Sequence, residues 1–294
     1  MSAAPLILET AGLEDYALLD SGNGRKLERF GALTLDRPEE QAVWTPRLDA
    51  AAWEQADAVF TGDMDEEGAG RWKRRPGVPE AWTCRHQTIR FDCRFTSFRH
   101  VGAFPEQEAH WSFMRQRLRA AGATAGERPS LLNLFGYTGL ASLIAAEAGA
   151  DVTHVDASKK AIAWARDNQT LSGLDDKPIR WILDDAQKFA AREVRRGRRY
   201  DGILLDPPKY GRGPKGEIWD LFQNLPEMLR LCRDILKPTG FLILTAYAIR
   251  ASFLSIHRLC EEILGAEVQS GELALRDDAG GLLATSLFSR WTGT

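Results

Sequence analysis

The chain has 294 residues, 44% hydrophobic and 27% charged, with 38 Lys and Arg against 41 Asp and Glu for a formal net charge of −3. Those proportions suit one large or two modest globular domains and exclude a collagen-like, stalk-like or wholly disordered chain. A balance this even argues neither for nor against nucleic acid, because local patches matter more than the sum.

The first residues, MSAAPLILETAGLEDY, have no positive start and only a three-residue apolar run, Leu6 to Leu8, so they do not read as a signal peptide. No stretch approaches the roughly 20 apolar residues of a membrane helix, and no membrane partner is expected. The four cysteines, Cys84, Cys93, Cys232 and Cys260, form no C-x-x-C pair. Free thiols in a cytoplasmic protein are the expectation. Residues 1–105 are predicted as a small β-rich N-terminal domain. The run DYALLDSGNGRKLERFGALTLDRP holds turn signals at Ser21-Gly22-Asn23-Gly24 and Gly31, and TCRHQTIRFDCRFTSF at 83–98 alternates apolar and polar positions. EEGAGRWKRRPGVPE at 66–80 reads as an exposed loop, and EQEAHWSFMRQRLRAAG at 106–122 as a linking helix.

Residues 106–294 follow another grammar. Short apolar runs at LLNLF, DVTHVDAS, IRWILDD, YDGILLDPP and GFLILTAYA read as strands, with helical stretches such as LASLIAAEAGA and KKAIAWARDNQTLSGL between them. This alternation implies β-α-β units and an α/β fold with a mostly parallel sheet. Gly149 can end one helix in the left-handed conformation, Ser158 can cap the next, and Gly240 opens a strand. EVQSGELALR and LLATSLFSRW, joined by DDAGG, predict a C-terminal antiparallel hairpin.

Three strand ends carry chemistry. LLNLFGYTGLASL reads as strand, glycine-bearing loop and helix start, where free N–H groups and the positive dipole end suit a carboxylate or phosphate. The first glycine of a dinucleotide fingerprint would fall at Leu134, which disfavours a nicotinamide enzyme. The next strand ends at Asp156, where a carboxylate can accept from both ribose hydroxyls. The third ends at Asp184 and Asp185, where a carboxylate or backbone group can meet an adenine amine. The fourth runs into Asp206-Pro207-Pro208-Lys209. Two prolines stiffen this turn and hold Asp206 extended. A carboxylate and a carbonyl there suit the N–H groups of a methyl-accepting amine.

The segments LNLFGYTG, VDAS, ARDN, LDDA and DPPKY resemble class I S-adenosylmethionine-dependent methyltransferases. With F-x-Y-T-G, D-P-P-K and the upstream GAFPEQ, they are similar to the 23S ribosomal RNA methyltransferase group. The resemblance implies a Rossmann-like sheet with S-adenosylmethionine as cofactor and RNA, ribosomal in this group, as partner. It implies a methionine-side loop of Asn133, Phe135, Tyr137, Thr138 and Gly139, and a ribose site at Asp156 with Ala157 and Ser158. It also implies adenine contacts at Asp185 and Ala186, with Phe104 and Gln107 on the cofactor's other side. Asp206, Pro207, Pro208 and Lys209 would face the acceptor.

Enzymes of the related group that methylate cytosine carbon 5 carry a cysteine after the fifth strand, where this chain has Ala248. A nitrogen acceptor, or an oxygen, fits better than carbon 5, with nitrogen favoured for its lone pair, and direct in-line transfer is expected. No H-E-x-x-H or Cys/His cluster suggests a metal, and the five histidines are scattered. Basic residues cluster at Arg71, Lys73, Arg74 and Arg75 around Trp72, at Arg90, Arg94 and Arg99, at Arg192, Arg195, Arg196, Arg198 and Arg199, and at Lys209, Arg212 and Lys215. Sharing one face, they would meet RNA phosphates, with Trp72 or Tyr210 stacking on a base. The residues alone leave open a methyltransferase for a small molecule or protein, and a non-catalytic cofactor-binding module.

Overall fold

Residues 4–62, 70–125, 127–247, 251–265 and 268–293 are described by a computed structural model. They form two compact units, Glu9–Ala109 with Leu273–Thr285, and Met1–Leu8 with His110–Glu272 and Ser286–Thr294. After β1 (Leu6–Thr10), the first hairpin closes β2 (Tyr16–Gly22) onto β3 (Arg25–Phe30) through Asn23 and Gly24. Both take positive φ, 51° and 74°. That two-residue turn matches strand twist and needs residues that tolerate the left-handed region. β4 (Leu33–Pro38), a short helix α1 (Ala50–Glu54), β5 (Ala58–Gly62) and β6 (Gly70–Arg74) complete a five-stranded sheet in the order β2-β3-β4-β5-β6.

β6 corrects the loop expected over 66–80, of which residues 66–69 lie outside the described residues. Its period-two pattern is carried by a single aromatic, Trp72, set edge-on to Phe60 with ring centroids 5.3 Å apart. Arg71, Lys73 and Arg74 are exposed, as an edge strand favours. β7 (Ala81–His86) and β8 (Ile89–Arg94) form an antiparallel hairpin overlapping the alternating, β-rich stretch at 83–98.

The second unit continues with α2 (Glu108–Ala125) and then alternates: β9 (Ser130–Leu134), α3 (Leu140–Glu147), β10 (Asp151–Asp156), α4 (Lys159–Leu171), β11 (Ile179–Leu183), α5 (Ala186–Arg195) and β12 (Tyr200–Leu205). A two-stranded insert, β13 (Tyr210–Arg212) with β14 (Ile218–Asp220), precedes α6 (Leu221–Asp234), β15 (Leu236–Tyr247), α7 (Phe253–Leu264), β16 (Gln269–Arg276) and β17 (Leu282–Thr292). Ser158 caps α4 as expected, its Oγ accepting from Ala161 N at 3.2 Å. β15 begins at Leu236, four residues before the expected opener Gly240, because Leu236 already pairs with Tyr200 before a register shift.

The sheet order is β1-β16-β17-β15-β12-β9-β10-β11. β9, β10, β11, β12 and β15 pair in parallel, and β17 runs antiparallel to β15. The chain steps outward from β9 through β10 to β11, then crosses to β12 on β9's other side. This reversal opens a crevice beyond the carboxyl ends of β9 and β12, where open α/β sheets bind ligands. Strands such as Ile203-Leu204-Leu205 and Leu242-Ile243-Leu244 are buried on both faces, as helix-covered parallel strands must be. Among the described residues no helix is long and apolar enough to cross a membrane.

Candidate active site at the carboxyl ends of β9, β10 and β12

The loop after β9 is strained in a regular way. Phe135, Tyr137 and Gly139 take φ of 59°, 50° and 83°, alternating with residues in ordinary conformations. Each non-glycine residue there costs roughly 1–2 kcal/mol, so other contacts must hold the loop. Gly136 N donates to Val155 O at 3.1 Å, Tyr137 N to Asp156 Oδ2 at 2.8 Å, and Asn168 Nδ2 to Thr138 O at 3.0 Å. The loop is thereby tied to the end of β10 and to α4. α3 starts immediately after it, and the first N–H groups of any helix lack intrahelical partners.

Below the loop, Asn133 Nδ2 donates to Ser142 Oγ at 2.9 Å, and Ser142 Oγ lies 3.0 Å from His154 Nδ1. All three side chains are buried. Burial pushes the His154 imidazole down to about 3, so it is neutral. A Cβ on Gly136 would run into that ring. Asn133, expected among the cofactor contacts, thus has its amide committed to the strand–helix interface under the loop. At Gly139 a Cβ would come within 2.8 Å of Ala165 Cβ and 3.1 Å of Trp181. Gly139→Ala is expected to cost about 2–4 kcal/mol, combining left-handed backbone with overpacking. The check is a denaturant midpoint that falls at constant slope.

Asp156 stands at the centre of the candidate site, between the β9 loop and the turn into α4. Oδ1 accepts from Ser158 N at 2.7 Å and Oδ2 from Tyr137 N at 2.8 Å. An ionised carboxylate has about four acceptor positions, so each oxygen keeps one for a ligand hydroxyl. Burial raises the Asp156 carboxyl, against the pull of the N–H groups of Ser158 and Tyr137. Ala157 and Ser158 follow in the turn to α4. Leu183, paired with Asp156 across the β10–β11 register, is 45% exposed and can take one face of a purine ring. The sequence reading passed over it.

Of the two acids after β11, Asp184 is ion-paired with Arg192 and accepts from Asp185 N. Asp185 caps α5, Oδ1 accepting from Lys188 N at 2.8 Å, with Ala186 buried in the first turn. Phe104 and Gln107 belong to the N-terminal unit, where the Phe104 ring lies 4.7 Å from His100 and Gln107 N donates to Phe104 O at 3.1 Å.

Asp206 follows β12, its backbone N 3.4 Å from Leu134 O at the end of β9. The turn is clamped from outside. Trp219 Nε1 donates to Pro208 O at 2.7 Å, and Leu221 N to Lys209 O at 2.9 Å. The Trp219 ring, 4% exposed, lies 4.8 Å from Phe135. One indole therefore ties the β9 loop to the Asp206 turn. Sequence reasoning missed it because the β13–β14 insert gives no apolar run long enough to notice. Pro207 is buried, whereas Pro208 and Lys209 are exposed.

Several members of the basic clusters are buried or ion-paired. Arg99 is buried and donates to Pro38 O. Arg74, Arg94, Arg192 and Arg196 pair with Glu80, Asp92, Asp184 and Glu193. The run through Arg199 stands at the amino end of β12, the far end from Asp206, roughly 20 Å away at about 3.3 Å per residue.

Comparison with known proteins gives this geometry a context. A family profile described as S-adenosylmethionine-dependent methyltransferase matches residues 33–263. The crystal structure of a SAM-dependent methyltransferase from Agrobacterium tumefaciens is 52% identical, with a TM-score of 0.93 over 99% of this chain and 94% of that one. A ribosomal RNA large subunit methyltransferase K/L from Desulfotalea psychrophila is 29% identical over 71% of this chain and 27% of its own length. A large subunit methyltransferase I from Shewanella denitrificans is 34% identical over 42% of this chain and 32% of its own. The chain therefore spans about a third or less of the length of these two curated relatives.

Proposed function

The chain belongs to the S-adenosylmethionine-dependent methyltransferase family, and from that premise we propose that it methylates a ring or exocyclic nitrogen of a ribosomal RNA base by direct in-line transfer. The observation that carries the reading is the stiff Asp206-Pro-Pro turn, hydrogen-bonded to the end of the strand that bears the cofactor loop.

The donor set fits the cofactor: Asp156 keeps two acceptor positions for ribose hydroxyls, and Leu183 offers an apolar surface beside it. Bound S-adenosylmethionine supplies an electrophilic methyl carbon on a sulfonium. Asp206 accepts an N–H of the acceptor, which turns the nitrogen lone pair toward that carbon. As the N–C bond formed, the methyl carbon–sulfur bond would break with its electron pair left on sulfur as a neutral thioether; the nitrogen would become acidic, and Asp206 is the nearest base in the turn to take its proton. Alignment of this kind can offset about 7–11 kcal/mol of barrier. The Trp219 clamp keeps the Asp206 turn and the Phe135 loop in fixed register.

The cysteines support a route without a covalent enzyme adduct. All four are buried, and burial raises the Cys232 thiol and pushes Cys260 up to about 12. Ala248, where carbon-5 enzymes of the related group carry their thiol, lies outside the described residues. The relatives' names support RNA as substrate and, with it, a cytoplasmic setting. The test is transfer of a tritiated methyl group to deproteinised total RNA and, in parallel, to RNA-free protein extract, followed by nucleoside analysis. An N-methylated nucleoside from ribosomal RNA is expected. Label confined to protein, or recovered as 5-methylcytidine, would overturn the reading.

A further inference from the structure

The β13–β14 hairpin has two unlike faces. Gly211 pairs with Trp219, and both look inward, Trp219 onto Phe135 and Pro208. Neighbouring positions in a strand point the opposite way, which turns Tyr210, Arg212 and Ile218 outward. Tyr210 is 40% exposed and Ile218 62%, and Arg212 is exposed beside them. This face begins at Tyr210, four residues after Asp206, and is rigidly joined to the same turn.

Its charge is one-sided. Lys209, Arg212 and Lys215 make no ion pair among the described residues. Both acids of the insert are engaged. Glu217 holds Lys188 Nζ at 2.6 Å and Lys215 N at 2.8 Å, which keeps its carboxyl down at about 2. Asp220 caps α6 through Gln223 N at 3.1 Å. An exposed phenol ring, an aliphatic neighbour and uncompensated cations are what a single-stranded polynucleotide needs, namely a stacking surface for a base and partners for successive phosphates. A duplex could not use the ring, because its bases are already stacked.

We infer that the outer face of the β13–β14 hairpin is a docking platform for a single-stranded RNA segment next to the methylated base, with a flanking base on Tyr210 and phosphates at Arg212 and Lys215. This rests on RNA being the substrate.

The experiment compares wild type, Tyr210→Ala, Tyr210→Phe and the double variant Arg212→Ala/Lys215→Ala in steady-state methylation of deproteinised total RNA, with thermal melting as the folding control. Tyr210→Ala should raise KM for RNA about tenfold, as expected for one lost stacking contact, and Tyr210→Phe should restore it. The double variant should reduce the slope of log affinity against log salt by about 1.4, two phosphate contacts on a single strand. If RNA is methylated but KM and salt slope stay within twofold in both variants, the platform is refuted and the RNA reading stands. If wild type labels only protein, RNA is excluded and the platform falls with it.

Discussion

Asp156→Ala should weaken S-adenosylmethionine binding by roughly 10²–10⁴-fold, the loss of two charge-assisted hydrogen bonds of about 1.5–3 kcal/mol each. The same change releases Tyr137 N and Ser158 N, so the strained loop loses one of its anchors. Isothermal titration with the cofactor measures the first effect, and thermal melting without it measures the second. A change of less than threefold in affinity would remove Asp156 from the ribose role. The same carboxyl gives a pH dependence of fixed sign. Burial raises it, so protonation begins at a higher pH than for an ordinary aspartate, and cofactor affinity should decline as pH falls through that range. Stability runs the other way. A group whose folded pKa is raised binds its proton more tightly when folded, so its contribution to stability is greatest in acid and is lost as pH rises. Mild acid should therefore empty the site without Asp156 contributing to unfolding.

Asp206→Ala should lower kcat by about 10²–10⁴-fold, the usual scale for a positioned acid or base, while cofactor affinity stays within twofold. Asp206→Asn keeps one acceptor oxygen but no charge and should fall between alanine and wild type. Titration and single-turnover methyl transfer read the two quantities separately. Equal losses in binding and turnover would mean that the carboxylate serves the cofactor and not the acceptor.

The order of strands and helices from Leu131 was legible because helix-covered parallel strands are apolar on both faces, and because glycine and proline mark their ends. The place of Asp156, at a strand's carboxyl end one helix after a glycine loop, was legible for the same reason, but its bonds to Tyr137 N and Ser158 N were not. What was hidden depends on contacts distant in sequence. The hydrogen bond from Asn133 to Ser142, with His154 beyond it, has no local sign in the sequence. The sequence Gly-Arg-Trp-Lys-Arg reads as a loop until Phe60 supplies a partner for Trp72. Trp219 gives no local sign that its N–H reaches Pro208, eleven residues back.

The burial of all four cysteine thiols leaves the folded protein without a thiol open to maleimides or iodoacetamide. A cysteine introduced at the open Ile218 would then be the sole reactive handle, and a dye attached there would sit beside the acceptor turn without competing labels elsewhere.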